Sequence, residues 1–231
     1  MRASATRWTF IVALSVGASC LAQAQDGVFI VLDDEASIRE FASVLGSGDG
    51  TVSVDTNDAY PHDDDGEAAL RIDSPAGDNQ KFNANIPGWA FEIVGRPQAE
   101  DEFRYITFAW RKEGAPGIQL QLSAQPGGWS HRYHAHANLK GWNPSIRLTL
   151  DEPSTWQVHT RDLFRDWGGM VVTGMALTPG SGEYGLFDHI AFHQSPEDPF
   201  AAPEDEPGHE TAVQPAGKSA TVWARIKHDT L

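Results

Sequence analysis

Two neighbouring stretches carry side chains of the right type and spacing to hold a polar ligand. In Ile118-Gln-Leu-Gln-Leu-Ser123 the apolar Ile118, Leu120 and Leu122 alternate with Gln119, Gln121 and Ser123. A strand with this rhythm turns one row to a core and the other to the opposite face. In Arg132-Tyr-His-Ala-His-Ala-Asn138, Tyr133, Ala135 and Ala137 form one row, and Arg132, His134, His136 and Asn138 the other. Pairing of the two as a hairpin across Gly127-Gly128 puts both polar rows on one outer face, a shallow patch of amides, imidazoles and a guanidinium. Trp129 and Trp142 stand at the two ends of the second strand. An indole beside amide and imidazole groups suits a sugar, whose C–H face stacks on the ring while its hydroxyls need paired donors and acceptors. The expected ligand site is therefore Gln119, Gln121, Trp129, Arg132, His134, His136 and Trp142, facing a carbohydrate or similar polar ligand.

The same histidines offer a second chemistry. Residues two apart on a strand point the same way, so His134 and His136, with His131 nearby, are candidate transition-metal ligands. The residues that follow, Leu139-Lys140-Gly141, supply no carboxylate to complete a catalytic metal site, and binding is the stronger reading. Acids form a separate group: Asp33 and Asp34 with Glu35 after the first strand, Asp63 to Asp65, and Asp188 in the last strand. If brought together they suit a hard, oxygen-ligated cation, a structural Ca²⁺. Left apart they are solvated charge.

The elements that must position these groups are short. Between Val28 and Phe192, eleven apolar-alternating runs separated by Gly, Pro, Asn and Asp clusters predict strands: 28–32, 51–55, 68–73, 81–86, 103–111, 118–123, 132–138, 146–150, 156–160, 171–177 and 186–192. The only helical period, over 37–45, has Ser37 as its cap. This pattern predicts an all-β, antiparallel sandwich over residues 26–193. Residues 194–231 are prolyl and acidic, and predict an extended, disordered tail with a candidate short helix over 220–227.

Ahead of the domain, Arg2 and Arg7 precede an apolar run from Trp8 through Val16, and small residues ending in Ala22-Gln-Ala24 follow it. That is the order of a secretory signal cleaved near Ala24, occupying residues 1–25, and it predicts a periplasmic or secreted protein. Lipidation at Cys20 is the weaker reading, because Gly17 stands where lipoprotein signals carry leucine. Cys20 is the only cysteine, so the remaining chain has no disulfide and no haem-attachment pair. No segment reaches the roughly 20 apolar residues of a transmembrane helix. Loss of Arg2 and Arg7 leaves 15 Lys and Arg against 32 Asp and Glu, a net charge of −17. Such a chain repels phosphate backbones, so nucleic acid is excluded as a partner.

Three stretches resemble the galactose-binding-domain-like jelly rolls, a group that includes many bacterial carbohydrate-binding modules. They are Val31-Leu-Asp-Asp-Glu35, the Gly-led strand Gly66-Glu-Ala-Ala-Leu-Arg-Ile72, and Leu186-Phe-Asp-His-Ile190. Trp156 to Phe164 followed by Val172 to Leu177 looks like that group's penultimate strands. The resemblance implies a jelly roll, and its acids of the first and last strands imply Ca²⁺ on Asp33 or Asp34 and Asp188. The segment from Trp129 to Trp142, with 156–164, is also similar to an unassigned jelly-roll module of exported bacterial proteins. Neither a G-x-S-x-G elbow nor a phosphate-binding glycine loop occurs, so the expectation is a non-enzymatic binding module. The alternative is an assembly protein that meets a cell-envelope component through its tail.

Overall fold

A computed structural model describes residues 27–61, 68–73, 80–114 and 116–201. The signal region, the Asp63–Asp65 stretch and the chain beyond 201 lie outside the described residues. In chain order the elements are β1 (Val28–Leu32), α1 (Glu35–Val44), β2 (Thr51–Asp55), β3 (Ala69–Asp73), β4 (Lys81–Asn83), β5 (Phe91–Ile93), β6 (Glu102–Phe103) and β7 (Tyr105–Glu113). They continue with β8 (Gly117–Gln125), β9 (Gly128–His136), β10 (Ile146–Thr149), β11 (Gln157–Asp162), α2 (Leu163–Trp167), β12 (Met170–Thr178) and β13 (Tyr184–His193).

The strands form two sheets facing each other across one apolar core. The first runs β11-β7-β13-β3-β2, with β1 also on β13, and the second runs β10-β9-β8-β12-β5-β6, with β4 also on β12. Alternation decides what lies between them. Ile106, Phe108 and Trp110 of β7 and Ile118, Leu120 and Leu122 of β8 are all fully buried, as the period-two pattern requires. Phe91, Phe103 and Phe192 pack ring against ring near one end, with centroids 5.0 to 6.2 Å apart. Both long central strands share one edge between two short partners. On β13 the handover follows a bulge at His189, whose φ of 55° bends the strand so that β3 pairs before it and β1 after it.

The expected strands recur with four differences. First, the run read as one strand over 103–111 is two, because the chain changes sheet at Arg104. Its N–H donates to the His193 carbonyl (3.1 Å) and its own carbonyl accepts from Leu163 N–H (2.8 Å). Second, β5 and β6 were not expected; two or three residues are too few to show a period. Third, the sandwich is not wholly antiparallel, since β10 joins β9 and β6 joins β5 in parallel. Fourth, α1 begins earlier than Ser37. Asp34 is the N-cap, accepting from Ser37 N–H (2.7 Å), while Asp34 N–H donates back to the Ser37 hydroxyl (3.1 Å). This reciprocal pair is a capping box with serine in the third helical position.

The chain just past β13 is also placed. His189 Nε2 lies 3.2 Å from the Asp198 carboxylate and Phe200 lies on the His189 ring at 3.9 Å. One aromatic side chain gives residues 194–200 the apolar contact that their prolyl, acidic composition concealed.

Candidate functional site

The β8–β9 hairpin forms in the expected register, with Gln119 opposite His134 and Gln121 opposite Arg132. Both pairs lie on the side of the sheet away from the Ile118–Leu120–Leu122 core. Long-range pairing then extends the row. Ala176 of β12 stands opposite Gln121, and Phe82 of β4 stands opposite Ala176, so Phe82, Ala176, Gln121 and Arg132 cross four strands in line. A second row runs through Thr178, Gln119, His134 and Arg147. Above the first row is a groove of about 630 Å³, within the roughly 300–1,000 Å³ typical of ligand sites.

Its walls are aromatic. The Trp129 ring meets Phe82 edge-on at 5.8 Å on one side. On the other, the connection between β9 and β10 folds back over the sheet. Gly141 N–H donates to the Asn138 carbonyl (3.0 Å), Asn138 Nδ2 donates to the Trp142 carbonyl (2.9 Å), and Arg132 Nη1 donates to the Pro144 carbonyl (3.1 Å). These bonds hold the Trp142 ring 5.3 Å from the guanidinium carbon while leaving the residue 43% exposed. A half-exposed indole costs apolar hydration, and here it lines a concavity where a ligand can cover it.

This corrects the expected shallow outer face. Gln119 is 0% exposed, Gln121 2%, His134 6% and Arg132 7%. The face is the predicted one, but β10 and its connection turn its floor into the bottom of a groove. Gln121, Trp129, Arg132 and Trp142 line that groove, whereas Gln119 and His134 sit beside it on the same sheet face without lining it. His136 does not join them: at the strand end its φ is 58°, it is exposed, and its Nδ1 bonds the Pro116 carbonyl.

The polar groups on this face are only partly satisfied. Gln121 Nε2 donates to the Trp129 carbonyl, and Gln119 Nε2 donates to Gln121 Oε1 (3.4 Å). Gln119 Oε1 and Arg132 Nε are buried with no hydrogen-bond partner. A buried polar atom left unpaired costs roughly 1–3 kcal/mol. His134 Nδ1 bonds the Ser145 hydroxyl (2.7 Å). Burial, and then the Arg147 charge, push the His134 pKa below that of a free imidazole, so at neutral pH it is an uncharged partner.

The metal readings find no assembled site. His131 pairs with Leu122 and packs against Trp167 at 5.7 Å, on the core side of the hairpin, away from His134. Asp34 is occupied as the helix cap. The Asp188 carboxylate, nearly buried, accepts from the backbone N–H groups of Tyr60 (3.1 Å) and His189 (2.8 Å). Among the described residues no three His, Cys, Asp or Glu side chains, Asp33 included, converge on a point where an ion would sit.

Sequence reasoning missed Gln80, Phe82, Asn143 and Ala176, all of which line the groove. Their strands pair with β8 and β9 only across long stretches of chain. The single available signal was the outward phase of β12, where Ala176 follows the core residue Met175. A second pocket of about 200 Å³ lies between α1 and Trp89, with mainly apolar walls from Phe29, Phe41, Val44 and Ile86.

No protein-family model matches the chain, and no curated protein matches it. Solved structures similar to it are carbohydrate-binding modules with a β-sandwich fold. One is the family 11 module from Clostridium thermocellum in complex with a β-1,3-1,4-mixed-linked tetrasaccharide, at 8% identity over 64% of this chain and 86% of that one, TM-score 0.35. A family 30 module aligns at 14% identity over 68% of this chain and 80% of that one, TM-score 0.38. TmCBM61 in complex with β-1,4-galactotriose aligns at 16% identity over 63% and 86%, TM-score 0.32.

Proposed function

We propose that this chain is an exported, non-catalytic carbohydrate-binding module that seats a polysaccharide segment in the groove over β4, β12, β8 and β9. The observation that carries this reading is the pairing of two groove-lining indoles, Trp129 and Trp142, with a floor that holds the amide of Gln121 and the guanidinium of Arg132, whose Nη2 makes no hydrogen bond among the described residues. Sugar rings stack on the indoles while hydroxyls meet the polar groups of the floor. Export rests on the amino-terminal charge, apolar run and Ala22-Gln-Ala24 order. The described residues contain no helix long and apolar enough to cross a membrane.

The test is retention on a panel of insoluble polysaccharides, followed by Trp142→Ala and Trp129→Ala. Stacking losses are about 1–3 kcal/mol per ring, so either variant is expected to weaken retention roughly tenfold or more. Equal retention by both variants and the unaltered chain would count against this groove.

A further inference from the structure

The groove contains a cation that no described carboxylate neutralises. Arg39, Arg71, Arg104, Arg111 and Arg161 each lie against a carboxylate, and their side chains keep 22% to 63% of their surface in water. Arg132 is buried more deeply than any of them, yet among the described residues it has no acidic partner. Its one protein acceptor is the Pro144 carbonyl, on Nη1. The Nε–Nη2 edge has none, and Nε is already out of reach of water. In a chain with 32 acids and 17 basic residues, an arginine set apart from every described carboxylate is a charge suited to receive one from a ligand. A buried guanidinium is costly unless it is paired.

The surroundings favour the same ligand. Among the described residues no carboxylate lines the groove, Arg147 lies on the same sheet face, and His134 between Arg132 and Arg147 takes a neutral hydrogen-bonding role. Nη2 is left as the donor for a ligand, and a carboxylate oxygen is among the strongest acceptors for a guanidinium N–H. The indole 5.3 Å from it provides a stacking surface for the ring bearing that carboxylate. We infer that the groove selects an acidic glycan, a polysaccharide containing uronic acids, with a sugar carboxylate on Nη2 of Arg132 and its ring against Trp142. This inference rests on the proposed carbohydrate-binding function and names the class of glycan.

The test uses the full domain and isothermal titration calorimetry. The ligands are polygalacturonate, alginate and glucuronan, each beside the same polymer after carboxyl reduction, with dextran sulfate as a polyanion lacking carboxylates. At least one uronate polymer is expected to bind about tenfold or more tighter than its reduced form. Because the protein is strongly acidic, that preference should persist as salt is raised rather than collapse as general polyanion attraction does. Arg132→Gln is expected to bring acidic and reduced polymers to equal affinity; the comparison on the unaltered protein stands even if that variant folds poorly. Reduced or other neutral polymers binding as well as the acidic ones would overturn the inference and leave the groove reading intact. Binding to none of the polymers, acidic or neutral, would overturn both. Dextran sulfate binding as tightly as the best uronate would replace carboxylate selection with general anion binding, and would equally overturn the inference.

Discussion

Gly174 links the packing of the sandwich to the shape of the groove, and Gly174→Ala tests that link. A methyl group built there lies 2.1 Å from the Asn83 carbonyl oxygen and 2.6 Å from the Ala84 carbonyl carbon, both backbone atoms that cannot rotate aside. Ordinary contact begins near 3.4 Å, so the Asn83 carbonyl must retreat by more than about 1 Å. Gly174 does not have a positive φ, so alanine suits its backbone and the effect is steric. Asn83 belongs to β4, which is held by three register positions on β12 and presents Phe82 to Trp129. Overpacking of this kind costs about 1–3 kcal/mol, which outweighs the roughly 0.4–1 kcal/mol that Gly→Ala returns through the unfolded chain. For a domain of this size the melting temperature should fall by roughly 2–10 °C. Glycan retention should fall with it, because the Phe82 wall moves. The assay is a thermal melt paired with a retention assay on the same preparation. A variant that melts and binds like the unaltered chain would refute the close apposition of β4 and β12 on which the groove's shape depends.

Other outcomes follow from the same geometry. Tyr133 OH donates to Asp166 (2.8 Å) and accepts from Trp167 Nε1 (3.0 Å) on the core side of β9, so Tyr133→Phe should cost about 1–3 kcal/mol in urea unfolding while leaving glycan binding unchanged. Burial lowers the pKa of His131, His134, His159 and His193, that of His159 to about 4, with the Arg161 charge adding to burial there. These groups stay neutral in the fold while the unfolded chain takes up protons below its ordinary value near 6.5. Stability is therefore whole above pH 6.5 and lost as pH falls from there toward 4. The urea midpoint should be lower at pH 5 than at pH 7.5, and His159→Phe should flatten the difference. Because Asp34 caps α1 and Asp188 accepts two backbone N–H groups, chelator should leave the melting temperature unchanged. A fall restored by Ca²⁺ would instead put a cation on the acids.

The sequence was legible where local rhythm decides the outcome. Alternation in 118–123 and 132–135 decided which side chains share a face, because a one-residue slip would bury Gln119 and Gln121 in the core; at His136 the strand ends and the alternation with it. It also located most strands. It could not reveal that Arg104 carries the chain from one sheet to the other, since both halves of 103–111 are apolar-alternating. Nor could it reveal the depth of the polar face, which depends on the fold-back of 137–145 and on Phe82 and Ala176 from distant strands. The acids are ambiguous for a related reason. An aspartate's carboxylate reads the same in sequence whether it awaits an ion or is already engaged as a cap, like Asp34, or by backbone N–H groups, like Asp188. Arg132 showed the converse: its place in the row was predictable, but its separation from the described carboxylates became visible only in three dimensions.

The central claim is that this groove is where a glycan binds, and backbone amide chemical-shift mapping during titration with the best-retained oligosaccharide tests it most directly. The account predicts shifts concentrated at Phe82, Gln121, Trp129, Arg132, Trp142 and Ala176, including the indole N–H signals of both tryptophans. Shifts centred instead on the pocket between α1 and Trp89, or on the outer face of the β7–β13 sheet, would contradict it.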